Sequence, residues 1–116
     1  MKCPRDKTDL DQEIEVEGVM VDICPYCDGI WLDYEELSRI TNMQSDLLEG
    51  PPVTEKLKWD EIIKCPLCEE GVPMVKRYFS KLKDIKVDKC PECKGLWLDT
   101  GELRAIIEFT GKLKEL

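Results

Sequence analysis

Cys24–Leu37 reads CPYCDGIWLDYEEL, and Cys90–Leu103 reads CPECKGLWLDTGEL. The chain writes one unusual sentence twice, about half its own length apart, so it is read as two small units in tandem. A unit of this size buries too little apolar surface to offset its chain entropy, and a disulfide, a metal or a partner must staple it. Seven cysteines are available, and six of them stand in CxxC pairs. No run is long and apolar enough for a signal peptide or a membrane span, so the reading is a cytoplasmic protein in a reducing compartment. There, CxxC pairs hold metal far more often than they form disulfides, and an odd count suits a disulfide framework poorly.

Each copied sentence carries only two ligands of the four that a structural zinc ion takes. In the second half the other two lie upstream: Cys65 and Cys68, then twenty-one residues, then Cys90 and Cys93. Four thiolates at this spacing describe a structural zinc ribbon. In the first half Cys24 and Cys27 are preceded by Cys3 alone, and Asp6 stands where the partner of a CxxC pair would be. A carboxylate is an acceptable zinc ligand, which gives a site of three cysteines and one aspartate: Cys3, Asp6, Cys24 and Cys27. The rival reading makes Asp6 a solvated turn residue and completes the shell with water or with Asp9. Histidine is absent from the chain and cannot substitute.

The rest of each half frames such a site. Ile14, Val16, Val19, Val21 and Ile23 alternate with charged residues and are broken at Glu17–Gly18, the pattern of a hairpin with one buried face. The second half repeats the plan between Val72 and Lys89, with a basic tip at Ser80–Lys83. Gly29 and Gly95 are expected to supply the tight turn leaving each knuckle. Asp33 and Asp99 are placed as helix N-caps, with Glu36 and Glu102 completing capping boxes. Leu37 and Ile40, then Leu103, Ile106 and Ile107, recur at helical spacing, and the first helix is expected to stop near Gly50. Trp31 and Trp97 are read as core residues beside the knuckles. Trp59 belongs to no repeat and packs the linker or faces a partner.

The fold class that follows is a small metal-stabilised α+β protein of two tandem zinc-ribbon modules, each a β-hairpin with two knuckles and a short α-helix. The divisions expected are 1–50 for the module with three cysteines and an aspartate, 51–60 for a linker and 61–116 for the four-cysteine module. The constellation CPxCxGxWLDxGEL, with CPx(C/D) about twenty residues upstream, resembles the transcription-factor-IIB-type zinc-finger family of small zinc-ribbon proteins. The first copy departs from that pattern at Glu35, where the second has Gly101. The resemblance implies a zinc-ribbon fold, two bound Zn2+ and an aspartate as a recurring variant at the Asp6 position. It does not choose an activity, because ribbons serve as nucleic-acid binders, polymerase-docking modules and protein adaptors.

Charge narrows the choice. The formal net charge is −8, and seven thiolates with two zinc ions take it to about −11. A phosphate backbone draws affinity from cations, which this chain does not supply globally. Residues 1–50 hold four Lys and Arg against thirteen Asp and Glu, whereas residues 51–116 hold thirteen against twelve. Lys76, Arg77, Lys81, Lys83, Lys86 and Lys89 cluster on the second hairpin around Tyr78 and Phe79, the kit of a nucleic-acid surface. Lysines that block edge pairing are the competing explanation. An enzyme is not expected: there is no histidine or phosphate loop, and a zinc enclosed by four protein ligands offers no open position. A four-thiolate set also accepts iron, so a rubredoxin-like carrier stands as a third reading. The expected role is macromolecular recognition, with a protein partner ahead of nucleic acid and neither a membrane nor a small-molecule substrate implied.

Overall fold

In the computed structural model, residues 1–33, 35–43, 50–54, 62–68, 70–80 and 83–114 are described. The first hairpin is β1 (Gln12–Val16) and β2 (Val19–Ile23), closed by Glu17 and Gly18 with φ of 49° and 81°. Two successive positive φ values make the type I′ turn whose twist suits a two-residue hairpin. A three-residue strand β3 (Ile30–Leu32) leads into α1 (Glu36–Thr41). The second copy repeats this order as β4 (Val75–Ser80), β5 (Lys83–Lys89), β6 (Leu96–Leu98) and α2 (Glu102–Lys114). Both hairpins lie where the alternation of the sequence places them.

Strands β3 and β6, which no alternation in the sequence announces, join the two copies. The sheet order is β1-β2-β3-β6-β5-β4, antiparallel throughout, with Ile30 opposite Leu98, Trp31 opposite Trp97 and Leu32 opposite Leu96. The repeats therefore share one six-stranded sheet, related about the Trp31–Trp97 pair. Neighbouring residues of a strand point to opposite faces, which sorts the core into two layers. On one face Val21, Leu32, Leu96, Leu98 and Phe79 pack with Leu37 and Ile40 of α1 and Leu103 and Ile106 of α2. On the other face Trp31 and Trp97 pack among the buried cysteines with Leu10, Ile63 and Met74.

The glycines of the copied sentence act differently from expectation. Gly29 and Gly95 are not the left-handed residues of their knuckles; Asp28 and Lys94 are, with φ of 61° and 66°. A Cβ added at Gly29 would lie 2.2 Å from the Trp97 ring, and one at Gly95 would lie 2.3 Å from the Trp31 ring. Each copy thus lays its tryptophan over the glycine of the other copy's knuckle, and only glycine leaves room for the indole. Trp31 and Trp97 are core, as expected, but the core they build lies between the copies.

The helix starts also depart in detail. Glu36 and Glu102 accept hydrogen bonds from the backbone N–H groups of Asp33 and Asp99, half of the expected capping box. The aspartate half is missing: the residue preceding α1 is Glu35, with φ −101° and no side-chain cap, and Asp99 turns its carboxylate elsewhere. Helix α1 ends at Thr41, with Asn42 at φ 54° as the left-handed stop, well before Gly50. Residues 44–49 and Trp59 lie outside the described residues. Gly50–Val53, at the start of the expected linker, is an extended segment along β4. Gly50 and Val53 donate to the carbonyls of Tyr78 and Lys76 at 3.0 Å, and Tyr78 donates to Pro51 at 2.9 Å.

Candidate metal centres

Two groups of four ligand atoms assemble, Cys65 with Cys68, Cys90 and Cys93, and Cys3 with Asp6, Cys24 and Cys27, each within 4.8 Å of one another. They meet because each set joins one knuckle before a hairpin to one after it. The knuckles share a backbone plan: the N–H of Cys3, Cys24, Cys65 and Cys90 donates to the carbonyl of Thr8, Gly29, Val72 and Gly95 respectively, at 2.7–2.9 Å. In three of them the residue four after the cysteine, Lys7, Asp28 or Lys94, has a φ of 61–67° and closes the turn onto that cysteine's carbonyl at 3.0 Å. These turns position the paired side chains through backbone hydrogen bonds alone.

The spacings fit zinc. Sulfurs about 2.3 Å from a tetrahedral ion stand roughly 3.8 Å apart. Cys65 to Cys93, Cys68 to Cys90 and Cys3 to Cys27 are each 3.7 Å between Sγ atoms. For one sulfur and one oxygen the expected edge is about 3.6 Å, and Cys24 Sγ lies 3.5 Å from Asp6 Oδ2. Asp6 Oδ1 accepts the Thr8 N–H at 3.0 Å, which fixes the carboxylate with Oδ1 also 3.6 Å from Cys24 Sγ. Asp9, the rival for this position, is an exposed residue bound to Lys2 at 2.9 Å. Both groups are Cys-rich sites able to bind metal ions, consistent with two zinc ions.

Electrostatics points the same way. Burial pushes the Cys3 thiol up to about 12. Cys68 is pushed up to about 12 as well, first by desolvation and then by the Cys90 and Cys65 thiols beside it. Cys90 goes the other way from these two: burial raises it, but the N–H groups of Cys93 and Glu92 outweigh that and hold it below the ordinary thiol range. A buried thiolate costs too much unless a cation shares the pocket, and a bound metal supplies that cation by displacing the proton. Asp6 is held at about 2, first by the Thr8 backbone N–H, so it is an acceptor across the ordinary pH range.

A polar cluster next to the first site was not legible in the sequence. Arg5, within the first knuckle, forms a two-pronged bridge to Asp99 at 2.9 and 3.1 Å, and Asp99 also accepts the Trp97 indole N–H at 3.0 Å. Asp88, 2% exposed, takes Lys76 at 3.2 Å and has Arg5 at 3.9 Å. Burial raises Asp88 above the usual carboxylate range despite both cations. Asp99 is also pushed up by burial, but Arg5 and the indole N–H win and hold it low. The signal available was the buried charge on a strand and Arg5 in the place that Leu67 takes in the second copy.

The expected basic hairpin surface is divided. Lys76 is committed to Asp88, and Arg77 donates to the Gly50 carbonyl at 3.0 Å. Phe79 is buried against Phe109, the rings 6.1 Å apart at 85°. The Lys86 ammonium lies 6.0 Å over the half-buried Tyr78 ring. Lys81 lies outside the described residues, as does the side chain of Lys83.

No helix among the described residues is long and apolar enough to cross a membrane. Comparison with curated proteins and with solved structures gave no match. Residues 2–43 and 64–108 each match the family described as "Transcription factor zinc-finger", one match per copy and together most of the chain. With two such matches and two four-ligand clusters inside them, the chain belongs to the transcription-factor zinc-finger family of zinc ribbons, present as two tandem copies.

Proposed function

We propose that this protein is a non-catalytic adaptor that carries two structural zinc ions and recognises a basic protein surface. Cys3, Asp6, Cys24 and Cys27 hold one ion, and Cys65, Cys68, Cys90 and Cys93 hold the other. The observation that carries this reading is how the cations are used. Lys2 bonds Asp9, Arg39 faces Glu35, and Arg5 is bridged to Asp99, so three of the four cations in residues 1–50 are neutralised internally. What the first copy offers a partner is carboxylate. Each metal would meet four protein ligands, which leaves no position for a substrate water. Capture of the tagged, zinc-loaded full chain from its own cell lysate, with and without nuclease, tests this. Protein partners that survive nuclease are the expected result. Binding that vanishes with nuclease would instead favour nucleic-acid contact through Lys81, Lys83 and Lys86, and Lys81→Glu with Lys83→Glu would then abolish it.

A further inference from the structure

The two edges of the sheet are equivalent by repeat, yet among the described residues only one is covered. The register of the hairpins matches Gln12–Glu15 to Val75–Tyr78, since Gln12 pairs with Ile23 as Val75 pairs with Lys89. Along β4 the outward backbone groups are those of Lys76 and Tyr78, and all three bonds to Gly50–Val53 use them. Pro52 then sits opposite Arg77 in antiparallel sense. The matching outward groups of β1 belong to Glu13 and Glu15. Among the described residues, no backbone group outside the hairpin bonds to either.

The side chains around this free edge are as unequal as the backbone. Where β4 has Arg77 and the bulky Phe79, β1 has Ile14 and Val16, and beside them runs a groove of about 510 Å³ lined also by Ile30, Leu103, Ile107 and Arg104. Ile14 is 37% exposed there. On the opposite face the second copy sets Lys76 across from Asp88, but the first sets Glu13 across from Asp22, two like charges with no cation between them in the register. Like charges directly opposite are unfavourable, and basic side chains on an added strand relieve them.

We infer that β1 is a strand-addition site for an extended segment of a protein partner that alternates apolar and basic residues. This rests on the adaptor reading and names its surface. The segment binds as Gly50–Val53 binds β4: antiparallel, bonding the backbone of Glu13 and Glu15, and sending an apolar side chain past Ile14 into the groove. Its Lys or Arg residues flank that position and meet Glu13, Glu15 and Asp22. Main-chain bonds supply affinity and alternate side chains supply specificity, as in other strand additions. A second copy of this chain is the wrong occupant, because β1 against β1 would oppose glutamates with glutamates.

The test uses the zinc-loaded full chain and three fluorescein-labelled peptides, Lys-Val-Lys-Val-Lys-Val-Lys, its block isomer Lys-Lys-Lys-Lys-Val-Val-Val, and Glu-Val-Glu-Val-Glu-Val-Glu, by anisotropy at fixed salt. The alternating basic peptide should bind at least tenfold tighter than its block isomer. Glu15→Pro removes an outward N–H without touching the ladder to β2, and it should weaken that peptide tenfold or more while two zinc ions per chain remain bound. Glu13→Lys with Glu15→Lys should move the preference to the acidic peptide. Equal binding of the two basic isomers, no binding of any peptide, an unaffected Glu15→Pro chain, or self-association through β1 would each overturn the inference. If Glu15→Pro still captures the nuclease-resistant partners, the edge is wrong and the adaptor stands; if the natural chain captures none, the adaptor reading itself falls.

Discussion

Replacing Gly29 with alanine adds one methyl group to the first copy and should destabilise its contact with the second. The new carbon would sit 2.2 Å from one atom of the Trp97 ring and 2.8 Å from the next. Carbon atoms rest at about 3.5–4.0 Å, so the ring or the knuckle must retreat by about 1 Å or more. Neither moves freely: Trp97 is fully buried, its indole N–H is bonded to Asp99, and its strand is paired with β3 and β5. Overpacking of this kind costs about 1–3 kcal/mol, and the rigid surroundings place Gly29→Ala at the upper end. For a chain of this length that lowers Tm by about 8–15 °C. Urea and thermal unfolding of the zinc-loaded protein, in excess zinc, would measure it. Gly111→Ala is the control: Gly111 lies within α2 with nothing within 4 Å of an added Cβ. There alanine should stabilise by about 0.5–1 kcal/mol. The decisive comparison is Trp97→Leu, which opens the space the methyl needs, so the double variant should be more stable than the sum of the two single losses implies. Strict additivity would refute the cross-copy contact as the cause.

Three further outcomes are expected. Chelator titration with a thiol reporter should empty the Asp6-containing site before the four-thiolate site, since a carboxylate is the harder and weaker zinc partner; Asp6→Cys should bring the two steps together. Arg5→Ala removes a bridge whose ends are 29% and 39% exposed. It should therefore cost no more than about 1 kcal/mol in low salt, and less at about 1 M salt, read by urea unfolding. Glu102 is raised to about 7, first by burial, so the folded state keeps a proton that the unfolded chain has released. Its contribution therefore falls as pH rises from about 4.5 to about 7, and Glu102→Gln should gain about 1–2 kcal/mol on the parent at about pH 8 but nothing at about pH 4.5, in paired melts that cancel the metal's own pH dependence.

What the sequence disclosed was local. The two Cys-rich clusters and both hairpins follow from spacing and alternation within a few dozen residues, and Val21, Leu37 and Leu103 are buried as their spacing indicates. What stayed hidden depends on the meeting of distant segments. Ile30–Leu32 and Leu96–Leu98 are too short to declare themselves as strands, because three apolar residues after a knuckle look the same in a loop, a helix start or a sheet. The partner of Gly29 lies in the other copy, so in sequence this glycine looks like a local turn, the commonest reason for that residue. The real left-handed positions are held by Asp28 and Lys94, at a strain that the knuckle hydrogen bonds offset. Asp99 looks like a cap for the same reason, since nothing nearby announces Arg5.

The exchange of tryptophans gives the repeat a physical reason. A single copy would present the backbone edge of β3 or β6 and a large indole to water, and its hairpin, knuckles and short helix could not cover them. The second copy covers both at once, because the Trp31–Trp97 register that closes the sheet also brings each ring over the opposite glycine. A metal bound at the first cluster would support the neighbour as well as its own half. An ion held by Cys3, Asp6, Cys24 and Cys27 would fix the knuckle that carries Gly29, and that knuckle is the floor under Trp97. Arg5 adds a second tie from the same side to Asp99 at the head of α2. Loss of the first metal should therefore loosen the second copy's core, a coupling that follows from the shared centre of the sheet and leaves its outer edge, at Glu13 and Glu15, untouched.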